Sequence, residues 1–185
     1  MPGEKEFKNR GLTYCATCDG PLFAGKDVAV IGGGNSALDA ALQLARIAKK
    51  VYIVNNTPAL GGDEVMREKV ESSPAVTVLN GSKVVSITGG SMVGGMTIER
   101  GGKREGVAVE GVFVEIGLVP NSGFARDVEK NVHGEIRVNG RNETNVPGIF
   151  AAGDVTNVPE KQIIIAAGEG SKAALSAIKY VNQSR

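Results

Sequence analysis

Two cysteines separated by two residues are the side chains best suited to chemistry in this sequence. Cys15 and Cys18 lie in the segment Cys-Ala-Thr-Cys-Asp-Gly at residues 15–20, and the chain contains 2 cysteines in all. Such a C-x-x-C pair cycles between dithiol and disulfide, because its neighbour and the local helix dipole lower the pKa of one thiol below about 8.5. The pair therefore predicts redox chemistry.

A zinc site is the competing interpretation of the cysteine pair. Structural zinc needs four ligands, and beyond the pair the chain has 1 histidine, His133, and no second cysteine pair. We therefore expect no metal. His133 lies in a polar, turn-like stretch, which predicts a surface loop.

A glycine-rich turn follows the cysteine pair. Gly32, Gly34 and Ala37 fit the pattern G-x-G-x-x-G/A, in which the glycines allow a tight turn and close approach of a pyrophosphate. A predicted buried strand at 27–31 precedes the turn, and an amphipathic helix follows it. Free N–H groups at the start of such a helix face phosphates, and Asn35 or Ser36 can cap this start. We therefore predict dinucleotide binding at Gly32, Gly34, Asn35, Ser36 and Ala37.

The end of the second predicted strand, 51–54, normally reports the choice of cofactor through an acidic residue or arginines. Here Asn55 and Asn56 follow the strand, and Arg67 lies well inside a predicted helix at 63–72. Asparagine bonds a ribose hydroxyl without repelling a phosphate, so we expect both asparagines to contact the cofactor. The choice between NADH and NADPH stays open, and another donor, such as a deazaflavin, is a third alternative.

The rest of the chain changes in pattern twice. Short β-rich runs at 76–79, 84–88, 96–100 and 107–109 predict an antiparallel meander, and the run 112–116 predicts a return to the parallel sheet. After residue 116 the sequence becomes looser until a predicted strand at 149–152 and a closing helix at 163–181. The predicted fold class is α/β, a Rossmann-like three-layer domain with a parallel sheet and an antiparallel β-meander.

Composition excludes two classes of partner. The formal net charge is +1, which gives no attraction to nucleic acid or to acidic membrane surfaces. No apolar run approaches the ~20 residues that span a bilayer, and residues 1–10 are charged, unlike a signal peptide. We expect a cytoplasmic protein with neither nucleic acid nor membrane as a partner.

The order of these motifs resembles the pyridine nucleotide-disulfide oxidoreductase family, in particular the C-terminal part of low-molecular-weight thioredoxin reductases. The matching segments are 11–20, 32–37, 117–121 and 144–154, followed by Gln162 and the closing helix. The flavoprotein component of alkyl hydroperoxide reductase is a close alternative, because residues 158–165 and 168–170 are similar to its tail.

The resemblance implies a path of electrons from NADPH or NADH through FAD to a Cys15–Cys18 disulfide and on to a thioredoxin-like protein. It implies that Cys18 faces the flavin, that Cys15 attacks the partner's disulfide, and that Asp19 is the acid/base. A carboxylate beside a thiolate raises the thiol pKa, which also favours proton transfer over thiolate stabilisation as the task of Asp19. Further cofactor contacts are implied at Gly117, Gly153, Asp154, Gln162 and Ile163.

Full-length relatives carry an earlier glycine fingerprint for the ADP half of FAD and are usually homodimers, whereas this chain has one fingerprint. We therefore expect a piece of such a protein. Its expected parts are a linker at 1–7, an NAD(P)H-binding domain at 8–115 and the C-terminal segment of an FAD-binding domain at 116–185. The alternative function is a truncated nicotinamide-nucleotide-binding module that is inactive alone.

Overall fold

The computed structural model describes residues 1–183 and divides the chain into two compact units. The first unit is Met1–Gly117, and the second begins at Leu118. The helices of the first unit are α1 (Glu4–Phe7), α2 (Ala16–Asp19), α3 (Asn35–Leu44) and α4 (Glu64–Glu71), with a 3₁₀ turn at Gly20–Phe23. Its strands are β1 (Leu12–Thr13), β2 (Asp27–Ile31), β3 (Lys50–Val54), β4 (Val76–Leu79), β5 (Ser82–Gly89), β6 (Val93–Arg100), β7 (Lys103–Val107) and β8 (Gly111–Val114).

Five parallel strands form the central sheet of the first unit, in the order β1-β8-β2-β3-β4. The strands β5, β6 and β7 form a separate antiparallel sheet. Helices connect β2 to β3 and β3 to β4, as parallel strands require. The predicted α/β class with a parallel sheet and an antiparallel meander is thus confirmed.

The two faces of the parallel sheet pack against different layers. Val28 and Val30 of β2 belong to a core that includes the α3 residues Leu38 and Leu44. Ala29 and Ile31 point the other way, into a core with the meander residues Ile87, Met96 and Ile98. Because successive strand residues alternate in direction, the continuous apolar run of β2 supplies both cores. Full burial of one such valine contributes about 1.5–3 kcal/mol.

Several local predictions need correction. The run 76–79 is not part of the meander, because it follows α4 and pairs in parallel with β3. Neither Asn35 nor Ser36 caps α3 through its side chain; Gly34 occupies the N-cap position. Residues 1–7, expected as a linker, include α1, and the Phe7 ring is buried in the meander-side core.

The second unit has little regular structure before its long helix α5 (Ile163–Gln183). The strand predicted at 149–152 does not form, because Phe150 makes a single isolated bridge with Glu143 instead of a ladder. Elsewhere in this unit, asparagine side chains hold turns; for example, Asn139 Oδ1 accepts the N–H groups of Arg141 and Glu143. No helix within residues 1–183 has the length and apolarity to cross a bilayer.

Candidate functional site

The register of the parallel sheet brings its functional loops to one edge. Val114, Ile31, Val54 and Leu79 lie in one row across β8, β2, β3 and β4. The chain leaves the sheet just beyond this row, at Glu115, Gly32, Asn55 and Asn80. On the outer strand, Thr13 pairs with Phe113, so that Cys15 leaves the sheet level with Glu115. The disulfide segment, the glycine turn and the two asparagines therefore lie along one carboxyl edge, where doubly wound folds bind ligands.

The three glycines of the turn have different surroundings. At Gly32, where φ is 142°, a Cβ would overlap the carbonyl oxygen of Glu115 and would crowd Ala37, which is fully buried. At Gly33 a Cβ would overlap the Asn55 side-chain oxygen. At Gly34 a Cβ would meet no atom within 4 Å. Gly32 and Gly33 are thus needed for packing, whereas Gly34 faces open space.

A cavity of about 500 Å³ lies above this turn, within the first unit. Gly32, Gly34, Asn35, Ser36, Asn56 and Gly117, all predicted as cofactor contacts, line it. Met1, Ile31, Gly33, Val54, Ser82, Lys83, Val84, Glu115 and Ile116 complete the lining. A Cβ at Gly117, as at Gly34, would meet no atom within 4 Å, which leaves room for a ligand beside both backbones.

Asn55 is buried, with 2% of its surface exposed, and does not line the cavity. Its Nδ2 donates to Ala59 O at 2.9 Å and to Asn80 Oδ1 at 2.8 Å, and its Oδ1 accepts the Thr57 hydroxyl at 2.9 Å. The Asn55 side chain therefore hydrogen-bonds to other protein groups, which differs from the ribose contact predicted from the sequence. The exposed Asn56 occupies the cavity wall instead.

Lys83 is a cavity residue that the sequence patterns did not identify. Ser82 N donates to Asn55 O and Gly81 N donates to Thr57 O, both at 2.9 Å, so the start of β5 is fastened beside the end of β3. Lys83 thereby lines the same cavity as Asn56. In the antiparallel sheet, Lys83 of β5 lies opposite Glu99 of β6. The Glu99 carboxylate forms its ion pair with Arg104, at 3.4 Å. The sequence signal that could have identified Lys83 is its position four residues after the parallel strand β4.

Cys15 and Cys18 form a disulfide with a Cα–Cα distance of 5.3 Å. Cys15 is the N-cap residue of the short helix α2, and its sulfur accepts the Cys18 N–H at 3.1 Å. Cys18 is exposed, whereas Cys15 is half-buried. The disulfide is therefore accessible within the first unit, and the predicted pair is joined as redox use requires.

The turn is braced from two sides. Thr13 donates its hydroxyl to the Asp19 carboxylate. On the other side, Thr17, between the two cysteines, donates to Gln43 Oε1 at 3.0 Å, and Gln43 Nε2 donates to Asp39 Oδ2 at 2.6 Å. Gln43 and Asp39 lie on α3, the helix that begins at the glycine turn. The disulfide turn is thus fastened to the helix that a bound phosphate would face.

Glu115 adds a carboxyl group to the cavity lining. Burial raises the pKa of Glu115 above 4.5, the backbone N–H of Ala16 opposes this rise, and the negative charge of Asp39 adds to it. The sequence pattern placed Glu115 inside a strand at 112–116, but β8 ends at Val114. A charged residue directly after an apolar run could have identified it.

The remaining predicted cofactor residues lie in the second unit. Gly153 has φ of 78°, and its carbonyl accepts the Thr156 N–H and hydroxyl at 3.0 and 2.7 Å. This turn leaves Asp154 exposed. Gln162 O accepts the Ala166 N–H at 2.9 Å, and Ile163, the first residue of α5, is 89% exposed. Residues 1–183 hold no cluster of three histidine, cysteine or acidic side chains able to bind a metal.

A parallel sheet with a glycine turn and a surface disulfide at one edge defines a nucleotide-binding disulfide oxidoreductase fold. Residues 1–170 match the profile of the family described as pyridine nucleotide-disulphide oxidoreductase. The chain belongs to this family.

Similar proteins agree with this membership. The chain is 50% identical to an NADH dehydrogenase of Bacillus subtilis over 98% of its length, and 44% identical to an alkyl hydroperoxide reductase component of Escherichia coli over 100% of its length. The crystal structure of thioredoxin reductase from Streptococcus pyogenes superposes with a TM-score of 0.93 at 34% identity, covering 99% of this chain. The chain spans 36% of the length of both curated relatives and 61% of that solved chain.

Proposed function

We propose that this chain is the nucleotide-binding and disulfide-bearing part of a flavin-dependent disulfide reductase. One observation carries the proposal: the cavity over Gly34 and the Cys15–Cys18 disulfide lie along the same edge of one sheet. The glycine turn follows β2, and the disulfide follows β1, two strands away. The family membership and the relatives' names support the same class of reaction.

The cavity residues fit a dinucleotide. Gly34 and Gly117 leave room for close approach, and the first N–H groups of α3 supply donors for a pyrophosphate. In the second unit, Asp154 is the candidate for the ribitol hydroxyls of FAD, and the backbone at Gln162 and Ile163 for the polar edge of the flavin ring. When bound, the two cofactors supply the electron pair that reduces the disulfide.

The chain's own chemistry is thiol–disulfide exchange. Two electrons and one proton open the Cys15–Cys18 bond to a thiolate and a thiol. The Cys15 thiolate attacks the partner's disulfide, forms a mixed disulfide and expels a partner thiolate, which takes up a proton. Cys18 then attacks Cys15, which restores the internal disulfide and releases the partner as a dithiol. Asp19, held by Thr13, transfers the protons.

The cation at the cavity wall favours NADPH over NADH. A carboxylate after β3 would favour the ribose diol of NADH. Here the residue in that part of the cavity wall is Asn56, and Lys83 of β5 lines the same cavity. The Lys83 ammonium can pair with a 2′-phosphate. By analogy with the family, the acceptor is a thioredoxin-like disulfide protein, the full-length protein is a homodimer, and the location is cytoplasmic.

Nucleotide binding tests this function directly. Gly34→Ala adds a methyl group in open space, so folding is unchanged, but the pyrophosphate cannot approach; we expect NADPH affinity to fall at least about tenfold. Gly106→Ala, also in open space but on β7, is the matched control and should bind as the wild type does. Saturable NADPH binding by calorimetry, weakened by Gly34→Ala alone, supports the proposal. No binding by the wild type, or equal binding by both variants, overturns it.

A nicotinamide-nucleotide-binding module without turnover is the second candidate, favoured by the cavity, because all its lining residues lie in the first unit. Adding FAD and then NADPH to the purified chain without oxygen separates the two. Retained flavin absorbance that NADPH bleaches indicates a reductase. NADPH binding without retained flavin indicates the module.

A further inference from the structure

Thr17, one of the two residues between the cysteines, is joined to α3 by a chain of two hydrogen bonds. Its hydroxyl donates to Gln43 Oε1 at 3.0 Å, and Gln43 Nε2 donates to Asp39 Oδ2 at 2.6 Å. A carboxylate oxygen only accepts, so Asp39 faces the amide nitrogen of Gln43 and leaves the amide oxygen to Thr17. The half-buried Gln43 is therefore oriented by Asp39 and holds the disulfide turn through Thr17.

Apolar packing also joins the disulfide helix α2 to α3. Ala16 lies in the same buried core as Leu44, and a Cβ at Gly20, which ends α2, would lie 3.5 Å from Leu44 Cδ2. Apolar contacts have no preferred direction, so they allow a short helix to slide or turn on its neighbour. The hydrogen bond from Thr17 to Gln43 is directional, and it fixes α2 at a point between the two cysteines.

We propose that Gln43 is a positioning residue for the redox pair: by fastening the backbone between the cysteines to α3, it keeps the two sulfurs close together and lowers the reduction potential of the Cys15–Cys18 couple. The inference deepens the proposed function, since it rests on a pair that exchanges with a partner's disulfide. Asp39 acts one step further away, through the orientation of the Gln43 amide.

The effect on the potential follows from the freedom of the reduced turn. Reduction adds two electrons and two protons and replaces the S–S bond by two thiols, after which the turn can open. Each conformation that the open turn gains favours the dithiol, because it adds to the entropy of the reduced state. A hydrogen bond that holds Thr17 removes part of this freedom. The disulfide therefore closes again more readily, which makes the dithiol the stronger reductant of a partner.

The equilibrium of the chain with dithiothreitol measures this effect. A dithiothreitol thiolate attacks one sulfur of the disulfide and expels the other as a thiolate; its second thiol then closes the reagent into a ring and releases the chain as a dithiol. Gln43→Leu lacks the amide, and we expect its equilibrium constant for reduction to be about threefold that of the wild type. At about 30 mV per tenfold change, this raises the midpoint potential by about 14 mV.

Substitutions of Thr17 provide the matched comparison. Thr17→Val keeps the shape of the side chain without the hydroxyl and should give the same threefold rise, whereas Thr17→Ser keeps the donor and should match the wild type. Gln43→Leu combined with Thr17→Val removes one hydrogen bond only, so we expect about threefold again. Two independent effects would multiply to about ninefold. Urea unfolding checks that each variant folds, and Thr17→Val carries the test if Gln43→Leu does not.

The outcomes separate this inference from the proposed function. A rise of about threefold in both single variants that does not grow in the double variant supports the inference. A wild-type equilibrium constant in Gln43→Leu and Thr17→Val, a changed one in Thr17→Ser, or a ninefold rise in the double variant overturns it while the proposed function stands. A folded wild-type chain whose disulfide dithiothreitol does not open overturns both. Failure to bind NADPH overturns the proposed function alone, because the equilibrium is measured without a nucleotide.

Discussion

Thr13 holds Asp19 across the turn that carries the disulfide. The Thr13 hydroxyl donates to the Asp19 carboxylate and accepts the Cys15 N–H at 3.4 Å. Thr13 is 8% exposed and is fixed in the sheet by its pairing with Phe113 on β8. The position of the candidate acid/base is therefore set by a strand rather than by a flexible loop.

Thiol–disulfide exchange by the reduced chain should depend on Asp19 and on its hydrogen bond from Thr13. Asp19→Asn should slow single-turnover reduction of a thioredoxin disulfide by about a hundredfold, since positioned acid–base groups contribute that much. Thr13→Val, which keeps the shape but loses the hydroxyl, should slow it in the same direction by less and destabilise the fold by about 1 kcal/mol. Thr13→Ser is the matched control. Stopped-flow rates at one pH check the order, and a wild-type rate in Asp19→Asn would remove Asp19 from the mechanism.

The same substitution should destabilise the fold at Asn55 but not at the adjacent Asn56. Asn55→Asp places a carboxylate against the acceptors Ala59 O and Asn80 Oδ1, so we expect a loss of about 2–3 kcal/mol in the free energy of unfolding. Asn56→Asp lies on the exposed cavity wall and should keep the wild-type stability. Urea unfolding measures both. Equal stabilities would mean that the Asn55 network is not a structural requirement.

Lys83 should set the preference between the two nicotinamide cofactors. Lys83→Met removes the cation, and we expect NADPH affinity to fall about tenfold while NADH affinity changes less than about twofold. Lys83→Arg retains the charge and should retain the preference. The ratio of the two dissociation constants is the measurement, and an unchanged ratio in Lys83→Met would assign the 2′ position elsewhere.

The elements found correctly from the sequence are those whose signals are local. The strand–turn–helix at Asp27–Leu44 combines an apolar run, spaced glycines and helical periodicity within 18 residues, so no distant partner is needed to recognise it. The helix predicted at 63–72 forms as Glu64–Glu71, with Asp63 accepting the Met66 N–H at its N-cap.

The parts that could not be predicted depend on distant pairing. The Asn55 side chain is held inside the protein by its hydrogen bond to Asn80, 25 positions away in sequence. The neighbouring hydrogen bond from Ser82 N to Asn55 O places Lys83 at the cavity. Glu115 is exposed to the cavity only because β8 ends at Val114, level with Ile31. At 149–152 a strand pattern was present, but the fold offers no continuous partner beyond Glu143.

The surface of α5 should make the chain self-associate. Among its described residues none is buried, and Ile164, Leu175 and Ile178 on one stripe are 74%, 68% and 58% exposed. Exposed apolar stripes of this kind mark contact surfaces. We expect concentration-dependent association in sedimentation velocity that Leu175→Lys with Ile178→Lys reduces, while Ser171→Lys, a polar position on the same stripe, reduces it less. A monomer at all concentrations would contradict this.

An ion pair in the second unit should stabilise it in a pH-dependent way. Lys161 Nζ lies 2.7 Å from Glu135 Oε1 and also donates to Thr156 O at 2.5 Å. Hydrogen bonds from Lys161 and Asn131 hold the pKa of Glu135 below its ordinary value of 4.5. Because the folded pKa is lowered, the contribution is complete above the unfolded value and is lost as the pH falls through the folded one. At neutral pH, Glu135→Gln should therefore cost about 1 kcal/mol, seen as roughly fivefold faster amide exchange over residues 131–161. At a pH below the folded pKa of Glu135, amide exchange in Glu135→Gln and in the wild type should be equal. Asp127→Asn removes an exposed carboxylate of the same unit and should match the wild type at every pH. If Glu135→Gln still exchanged faster than the wild type in acid, its effect would come from packing rather than from charge.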